Sequence, residues 1–331
     1  MMAQNHRSWL VWSAAFVSLL SLSGGLGRAG GPAAPTFVES FQYSDVLTEF
    51  LSRWRISYQL DPLARESRVR IVSDTGAAIG RRVAQISVHA GDGLDLPAGD
   101  VERPYACDLN GSRANFLEAQ PGGTVPTERA EIQVKTGTLG GDLVRFGAPV
   151  WYRFSFKVLG DWPSDRPVSG RSLCRTVIHQ IKQDSFQNGI SCSASPFFKI
   201  EARPIGEQVH FFAQITSGMA CATPAVVRRT QICAETLPRE TWANVHVRLL
   251  PALDAGGRAD VWVNGHHCGS YRGPMGDPKQ GFSENGMPIV NVQPRFGIYR
   301  DGRAETQTIR FDQIMFWNAD PQGHPDWNID E

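Results

Sequence analysis

Gln293-Pro-Arg-Phe-Gly-Ile-Tyr-Arg300 reads as an extended strand with two chemically different faces. Side chains alternate along a strand, so Phe296 and Ile298 point one way while Arg295 and Tyr299 point the other. One face is core and the other a polar surface. A guanidinium and a phenol four residues apart lie roughly 13 Å apart along the strand, which suits an oligomeric ligand better than a small molecule in a closed pocket. Taken alone, the stretch fits a half-buried strand with solvated polar residues equally well, so the other strands decide.

They are plentiful. Between Arg68 and Trp317, twelve candidate strands are separated by turns rich in Gly, Pro, Asp and Asn, and they greatly outnumber helical patterns. The fold class expected is therefore all-β, a large sandwich or jelly roll. With 331 residues, 41% of them hydrophobic, the chain can bury a substantial core. Its 33 basic and 33 acidic side chains leave no cationic excess for a sequence-independent nucleic-acid binder. Any anionic ligand must be met by basic residues gathered locally.

At the amino terminus, His6 and Arg7 precede an apolar run from Trp9 to Leu22 and then small residues up to Ala34. This is the order of a secretory signal, too short for a comfortable membrane span. Residues 1–30 are expected to be a signal peptide cleaved near Ala29 to Ala34, leaving a secreted or periplasmic domain over 36–320. An uncleaved anchor is the competing reading. No membrane association is expected after cleavage, and the product is expected to be a monomer. Cysteines at 107, 174, 192, 221, 233 and 268 are even in number and lack zinc-type spacing, so disulfides are expected and no metal site. Fifteen connectivities are open; pairing near neighbours would join Cys174 to Cys192, Cys221 to Cys233 and Cys107 to Cys268. No cofactor is called for, and a structural calcium ion is not readable from the residues.

The polar faces hold the candidate chemistry. In Glu128 to Thr136, Ala130, Ile132 and Val134 form an apolar side, opposite Arg129, Glu131, Gln133 and Lys135. That polar row fits either a sugar-binding surface or a solvated ladder. In Thr176 to Asp184, Val177, His179 and Ile181 share one face, with Gln180 and Lys182 on the other. His179 reads as a packed residue, which favours Gln180 and Lys182 as the functional pair. In Gln208 to Thr216, Val209, Phe211, Ala213 and Ile215 point inward, leaving His210, Phe212 and Gln214 opposite, where an aromatic can stack on a sugar. Trp242, Asn244, His246 and Arg248 are assigned to the solvated side of an outer sheet. Asn264-Gly265 marks a hairpin turn. Phe37, Phe41, Tyr43, Phe50 and Trp54 form an aromatic-rich piece that fits a strand or a short helix, and Gly91 to Thr127 and Ser270 to Pro288 read as long surface loops.

Six segments occur in the order seen in jelly-roll polysaccharide lyases: Arg81 to Asp92, Glu128-Arg-Ala-Glu-Ile132, Val150 to Phe156, His179-Gln-Ile-Lys182, Ala259 to Gly265 and Arg295-Phe-Gly-Ile-Tyr299. Over residues 68–318 the chain resembles the heparin lyase I-like group and, more distantly, alginate lyases. The resemblance implies a concanavalin A-like β-jelly-roll sandwich of two antiparallel sheets. It also implies that the concave sheet binds an acidic polysaccharide and cleaves it by β-elimination. On this mapping Arg129, Glu131, Gln180, Arg295 and Tyr299 line the site, and Lys182 stands where the family usually has His. A lysine neutralises a carboxylate, but with an ordinary pKa of about 10.4 it is a poor base near neutrality.

Elimination needs the uronate carboxylate neutralised, a task assigned to Arg129, Gln180 and Lys182. It also needs a base at the adjacent carbon and an acid at the departing oxygen, both assigned to Tyr299. Substrate contacts are assigned to Gln133, Lys135, Glu131, Arg295, His210 and Phe212. Two alternatives remain: a non-catalytic glycan-binding protein of the same fold, and a glycoside hydrolase. A hydrolase would want two facing carboxylates, whereas these faces offer only Glu131.

Overall fold

The alternation written in the sequence becomes two antiparallel sheets packed face to face. The computed structural model describes residues 31–43, 46–57, 68–77, 80–89, 92, 127–135, 143–160, 176–183, 186–187, 190–191, 196–205, 207–219, 226–277, 291–301 and 305–330. The expected signal segment, nearly all of the Gly91 to Thr127 loop and Cys107, Cys174, Cys192 and Cys221 lie outside them.

In chain order, β1 (Phe37–Glu39), α1 (Val46–Arg53), β2 (Trp54–Ser57), β3 (Val69–Ser73) and β4 (Arg82–Val88) come first. Next are β5 (Thr127–Val134), β6 (Val144–Arg145), β7 (Val150–Leu159), β8 (Thr176–Gln183), β9 (Phe186–Gln187) and β10 (Ile190–Ser191). The rest are β11 (Phe198–Ile205), β12 (Gln208–Met219), β13 (Val226–Pro238), β14 (Ala243–Leu250), β15 (Arg258–Val263), β16 (His266–Arg272), β17 (Asn291–Asp301) and β18 (Gln307–Trp317). The front sheet runs β13-β12-β11-β8-β17-β5-β2, with β6 on β17; the back sheet runs β16-β15-β14-β7-β18-β4-β3, with β1 on β18. The jelly-roll expectation holds.

Between the sheets lie the residues that alternation assigned to the core, among them Ala130, Ile132, Val209, Phe211, Phe296 and Ile298. Phe296 meets Phe154 at 5.3 Å between ring centroids and Phe311 at 6.0 Å. The aromatic-rich amino-terminal piece supplies a strand, a helix and a second strand. Trp54, fully buried, stacks on Phe41 and Phe50 and presents its edge to Phe296. The buried Glu39 carboxylate gathers this piece, accepting from Phe41 N at 2.6 Å, Trp54 Nε1 at 2.8 Å and the Tyr43 hydroxyl.

At the expected Asn264-Gly265 turn both residues have positive φ, 53° and 89°, joining β15 to β16 in the hairpin geometry this pair favours. Cys233 bonds to Cys268, which ties β13 to β16 and closes one side of the sandwich. This overturns the near-neighbour pairings Cys221–Cys233 and Cys107–Cys268. The partners are distant in sequence because edge strands of different sheets meet here, so closely that a Cβ on Gly269 would fall 1.6 Å from Ile232 O.

A second correction concerns the outer face of the back sheet, which is not simply solvated. Residues 318–330 cross it, and His246 is only 3% exposed beneath them, with Asp326 O 3.3 Å from its Nε2 and Trp327 against its ring.

Candidate functional site

Register assembles the polar face of the front sheet. One row crosses six strands as Arg55, Gln133, Arg295, Gln180, Lys199 and Gln214. At about 4.8 Å per strand it spans roughly 24 Å. A parallel row runs Arg129, Tyr299, Val177, Glu201 and Phe212. Between them stands Gly297, paired with Glu131. Its φ of +147° and a would-be Cβ 2.3 Å from Ala130 O leave room for no other residue. The strip between Arg295 and Tyr299 therefore carries no side chain of its own.

Five of the expected residues gather around that strip. Gln180 Nε2 donates to Glu131 Oε1 at 2.5 Å, a bond that passes over β17 between its flanking side chains. The other oxygen of Glu131 lies 3.2 Å from Arg129 Nε. Arg129 in turn holds its guanidinium 4.3 Å from the centre of the Tyr299 ring. Arg295 closes the far end, and its Nε is buried without a hydrogen-bond partner. Glu131 and Gln180 point away from the core yet are 1% and 2% exposed, so this part of the face is sheltered from water.

Behind it, Arg300 and Glu128, both fully buried, are joined at 2.6 Å and pin β17 to β5 beside the Tyr299 and Arg129 pair. His179 lies wholly in the core, stacked on Phe296 at 4.5 Å. Its Nδ1–H donates to Arg295 O at 2.9 Å, and Nε2 accepts from the Tyr152 hydroxyl at 3.0 Å. Burial, opposed only by the Arg295 carbonyl, pushes its pKa down to about 3, so the ring is neutral and steadies the backbone of Arg295. It does not face the polar surface, which agrees with its reading as a packed residue.

The remaining expected residues are spread out. Lys182 is on the polar face but pairs with Gln293, six residues along β17 from Tyr299, roughly 20 Å of strand. Gln133 joins the first row and is 4% exposed. Lys135 donates to Leu51 O and braces α1. His210 and Phe212 lie on β12, three strands from β17. Val177, expected beside His179, is instead opposite Tyr299 and Glu201 because a bulge breaks the register of β8.

One group escaped the sequence reading. Lys199, Glu201 and Arg203 of β11 face the same side. Lys199 Nζ lies 2.5 Å from Glu201 Oε1, and Arg203 Nε lies 3.0 Å from Oε2 and its guanidinium 5.3 Å from the Phe212 ring. Burial opposes the charge on Glu201, but the two cations outweigh it and hold its carboxyl below the usual range. The signal was the alternation of Phe198, Ile200 and Ala202 with these three. Taken together, the cations Arg55, Arg129, Lys182, Lys199, Arg203 and Arg295 share the face with the carboxylates Glu131 and Glu201, each already engaged, and with Asp301 at the end of β17. Among the described residues no group of three or more His, Cys, Asp or Glu could hold a metal ion.

Comparison with known proteins matches residues 83–315 to a family model described as polysaccharide lyase. No curated protein sequence matches significantly. Among solved structures, an endo-β-1,4-glucuronan lyase from the fungus Trichoderma reesei superposes with a TM-score of 0.53 at 12% identity, covering 87% of this chain and 99% of its own. An alginate lyase from Pseudomonas aeruginosa gives 0.44 at 13% identity, covering 81% and 98%. An alginate lyase from Aplysia kurodai gives 0.45 at 8%, covering 86% and 99%.

Proposed function

The chain belongs to the polysaccharide lyase family, and from that premise we propose that it cleaves a uronic-acid-containing polysaccharide by β-elimination on the polar face of the front sheet. The observation that carries this is the Tyr299 phenol held under the Arg129 guanidinium beside a strip of strand that carries no side chain of its own and is bridged by the Gln180–Glu131 hydrogen bond. In the reaction a uronate ring loses the hydrogen on C5, the C4–O bond breaks, and a C4=C5 double bond forms. The departing glycosidic oxygen takes up a proton.

At one end of the strip Arg295 neutralises the carboxylate and Gln180 donates its second amide N–H to it, so that the negative charge developing next to it is stabilised in a sheltered setting. Tyr299, at the other end, takes the C5 proton as phenolate and returns one to the leaving oxygen from the same side. Arg129 fixes the ring plane and adds positive charge, while Glu131 holds Gln180 and Arg129 in register. Lys199, Arg203 and Phe212 bind sugars further along the chain, as does Lys182, which the register keeps from the bond being cleaved. Export, expected from the amino-terminal segment, is supported by the Cys233–Cys268 bond.

Incubating the mature protein with glucuronan, alginate, pectate and glycosaminoglycans, while following the ultraviolet absorbance of new unsaturated ends, tests the proposal. Glucuronan is the first substrate to try, given the fold likeness. Silence across the panel with retained binding would make the protein a glycan-binding relative, and saturated reducing ends would make it a hydrolase.

A further inference from the structure

The back sheet carries a second concavity. A cavity of about 460 Å³ is floored by Trp151, Arg248, Asp260 and Trp262 and roofed by the carboxy-terminal segment through Trp327 and Ile329. It falls within the roughly 300–1,000 Å³ of small-ligand sites, room for a short oligosaccharide.

The segment that roofs it is fastened at several points. Asp330 N donates to Gly265 O at 2.7 Å, Trp262 Nε1 to Asp330 O at 3.1 Å, and Arg153 Nη1 to Asp326 O at 2.8 Å. Trp327 packs edge-on against Trp262 and Trp317, at 6.1 and 5.8 Å between ring centroids. The cavity is thus preformed, and a ligand need not order its walls.

Its chemistry differs from that of the front face. Asp260 Oδ2 accepts from Arg248 Nε and Arg258 Nε, both at 2.9 Å, and Oδ1 accepts from Ser270 at 2.7 Å. Burial opposes that carboxylate's charge, but these three partners keep it ionised. Arg248 commits its Nε there, leaving its Nη donors for a ligand. Two further carboxylates, Asp320 and Asp330, stand at the rim with Gln322 and His267, Asp330 lying 2.7 Å from His266 Nδ1, so three carboxylates stand against the two guanidiniums of Arg248 and Arg258. Indole faces suit the C–H faces of a pyranose, and carboxylate, amide and guanidinium groups suit its hydroxyls. The acidic excess repels a uronate.

We infer that this cavity is a second glycan site, specific for a neutral, hydroxyl-rich saccharide, which tethers the protein to uncharged glycan while the front face meets the uronate. The site is independent of turnover, so its test does not require lyase activity.

The probes are cellohexaose, xylohexaose and mannohexaose, with a glucuronate oligomer and a glucosamine oligomer as charged controls. Binding is read by calorimetry and tryptophan emission. At least one neutral series should bind with a Kd at or below the millimolar range and shift the emission. Trp151→Ala and Asp320→Asn should weaken it tenfold or more, and Tyr299→Phe should leave it unchanged. Asp320 is exposed on the carboxy-terminal segment but accepts from Gln322 N at 3.0 Å, so Asp320→Asn, which keeps that acceptor and removes the charge, is the companion variant, with melting temperatures measured beside binding. Absence of heat and emission change with all three neutral series would overturn the inference. So would binding that survives both cavity variants, or tighter binding of either charged oligomer at this cavity.

Discussion

The outer faces of the two sheets are built from the same alternating pattern but have different fates. On the front sheet the polar rows face outward as a broad surface, with cations in excess and each carboxylate engaged by a neighbour. On the back sheet residues 318–330 cross the matching face, and indoles and carboxylates gather around a partly roofed cavity. A β-sandwich has two outer faces available, and what differentiates them is what crosses them. A charged row running across several strands suits an extended polyanion, whereas a roofed aromatic pocket suits a short uncharged ligand.

The comparison is broken most severely at Tyr299. Tyr299→Phe keeps the ring under Arg129 and removes only the hydroxyl, so kcat should fall by roughly 10³-fold or more while substrate binding and melting temperature stay close to wild type. Steady-state kinetics on the best polyuronate, with calorimetric binding, checks this. Full retained activity would remove the phenol from the chemistry. Next in size is the buried pair behind it. Arg300→Met strands the Glu128 carboxylate in the core and should cost about 3–5 kcal/mol of stability, measured by urea unfolding. Because the pair pins β17 to β5, kcat should fall with it even where the protein stays folded, and a variant as stable as wild type would contradict this reading.

Much of the front face was legible. Alternation assigned Arg129, Glu131, Gln133, Arg295 and Tyr299 to one side because their strands are regular. It failed at Val177, where a bulge in β8 inverts a side chain without any mark in residue type. It missed Lys199, Glu201 and Arg203, since a Lys-x-Glu-x-Arg face looks like ordinary solvated strand until its neighbours in space are known. The back face was misread for a different reason. Nothing within Trp242 to Arg248 reveals that a segment some eighty residues later folds over it. The disulfide was hidden likewise, since pairing across sheet edges follows topology and not sequence distance.

Acid separates the two faces through their histidines. Burial lowers the pKa of His179, behind the front face, from 6.5 to about 3, and burial together with the Arg153 charge lowers that of His246, beneath the carboxy-terminal segment, to about 4. Both bind fewer protons folded than unfolded. The stability they confer is complete above pH 6.5 and is lost as pH falls, at about 1.4 kcal/mol per pH unit for each. The contribution of His246 is exhausted near pH 4 and that of His179 near pH 3. Urea unfolding between pH 6.5 and 5, above the range where the ion-paired carboxylates Asp74, Glu201 and Asp260 add their own dependence, should show this slope, to which partly buried His89, its pKa also lowered by burial, contributes. His246→Asn should reduce it by about 1.4 kcal/mol per pH unit, and a slope unchanged in that variant would mean His246 is not held neutral.

The smallest effect is expected at Lys182, where the family resemblance and the register give different expectations. The resemblance puts a histidine there, and an imidazole titrates near neutrality where an ammonium does not, so a place at the cleaved bond would make Lys182→His raise kcat. The register puts Lys182 opposite Gln293, roughly 20 Å along β17 from Tyr299, too far for the two side chains to serve one C5 proton and one leaving oxygen. Lys182 would then contribute only a permanent positive charge to a neighbouring uronate. On that reading Lys182→His leaves kcat within about threefold and raises KM above pH 6.5, where the imidazole is neutral, with KM recovering below it as the ring gains its proton. KM and kcat measured at pH 5.5 and 8 separate the two outcomes. A pH-independent rise in kcat would move Lys182 to the reacting centre and would require β8 to sit differently against β17 when substrate is bound.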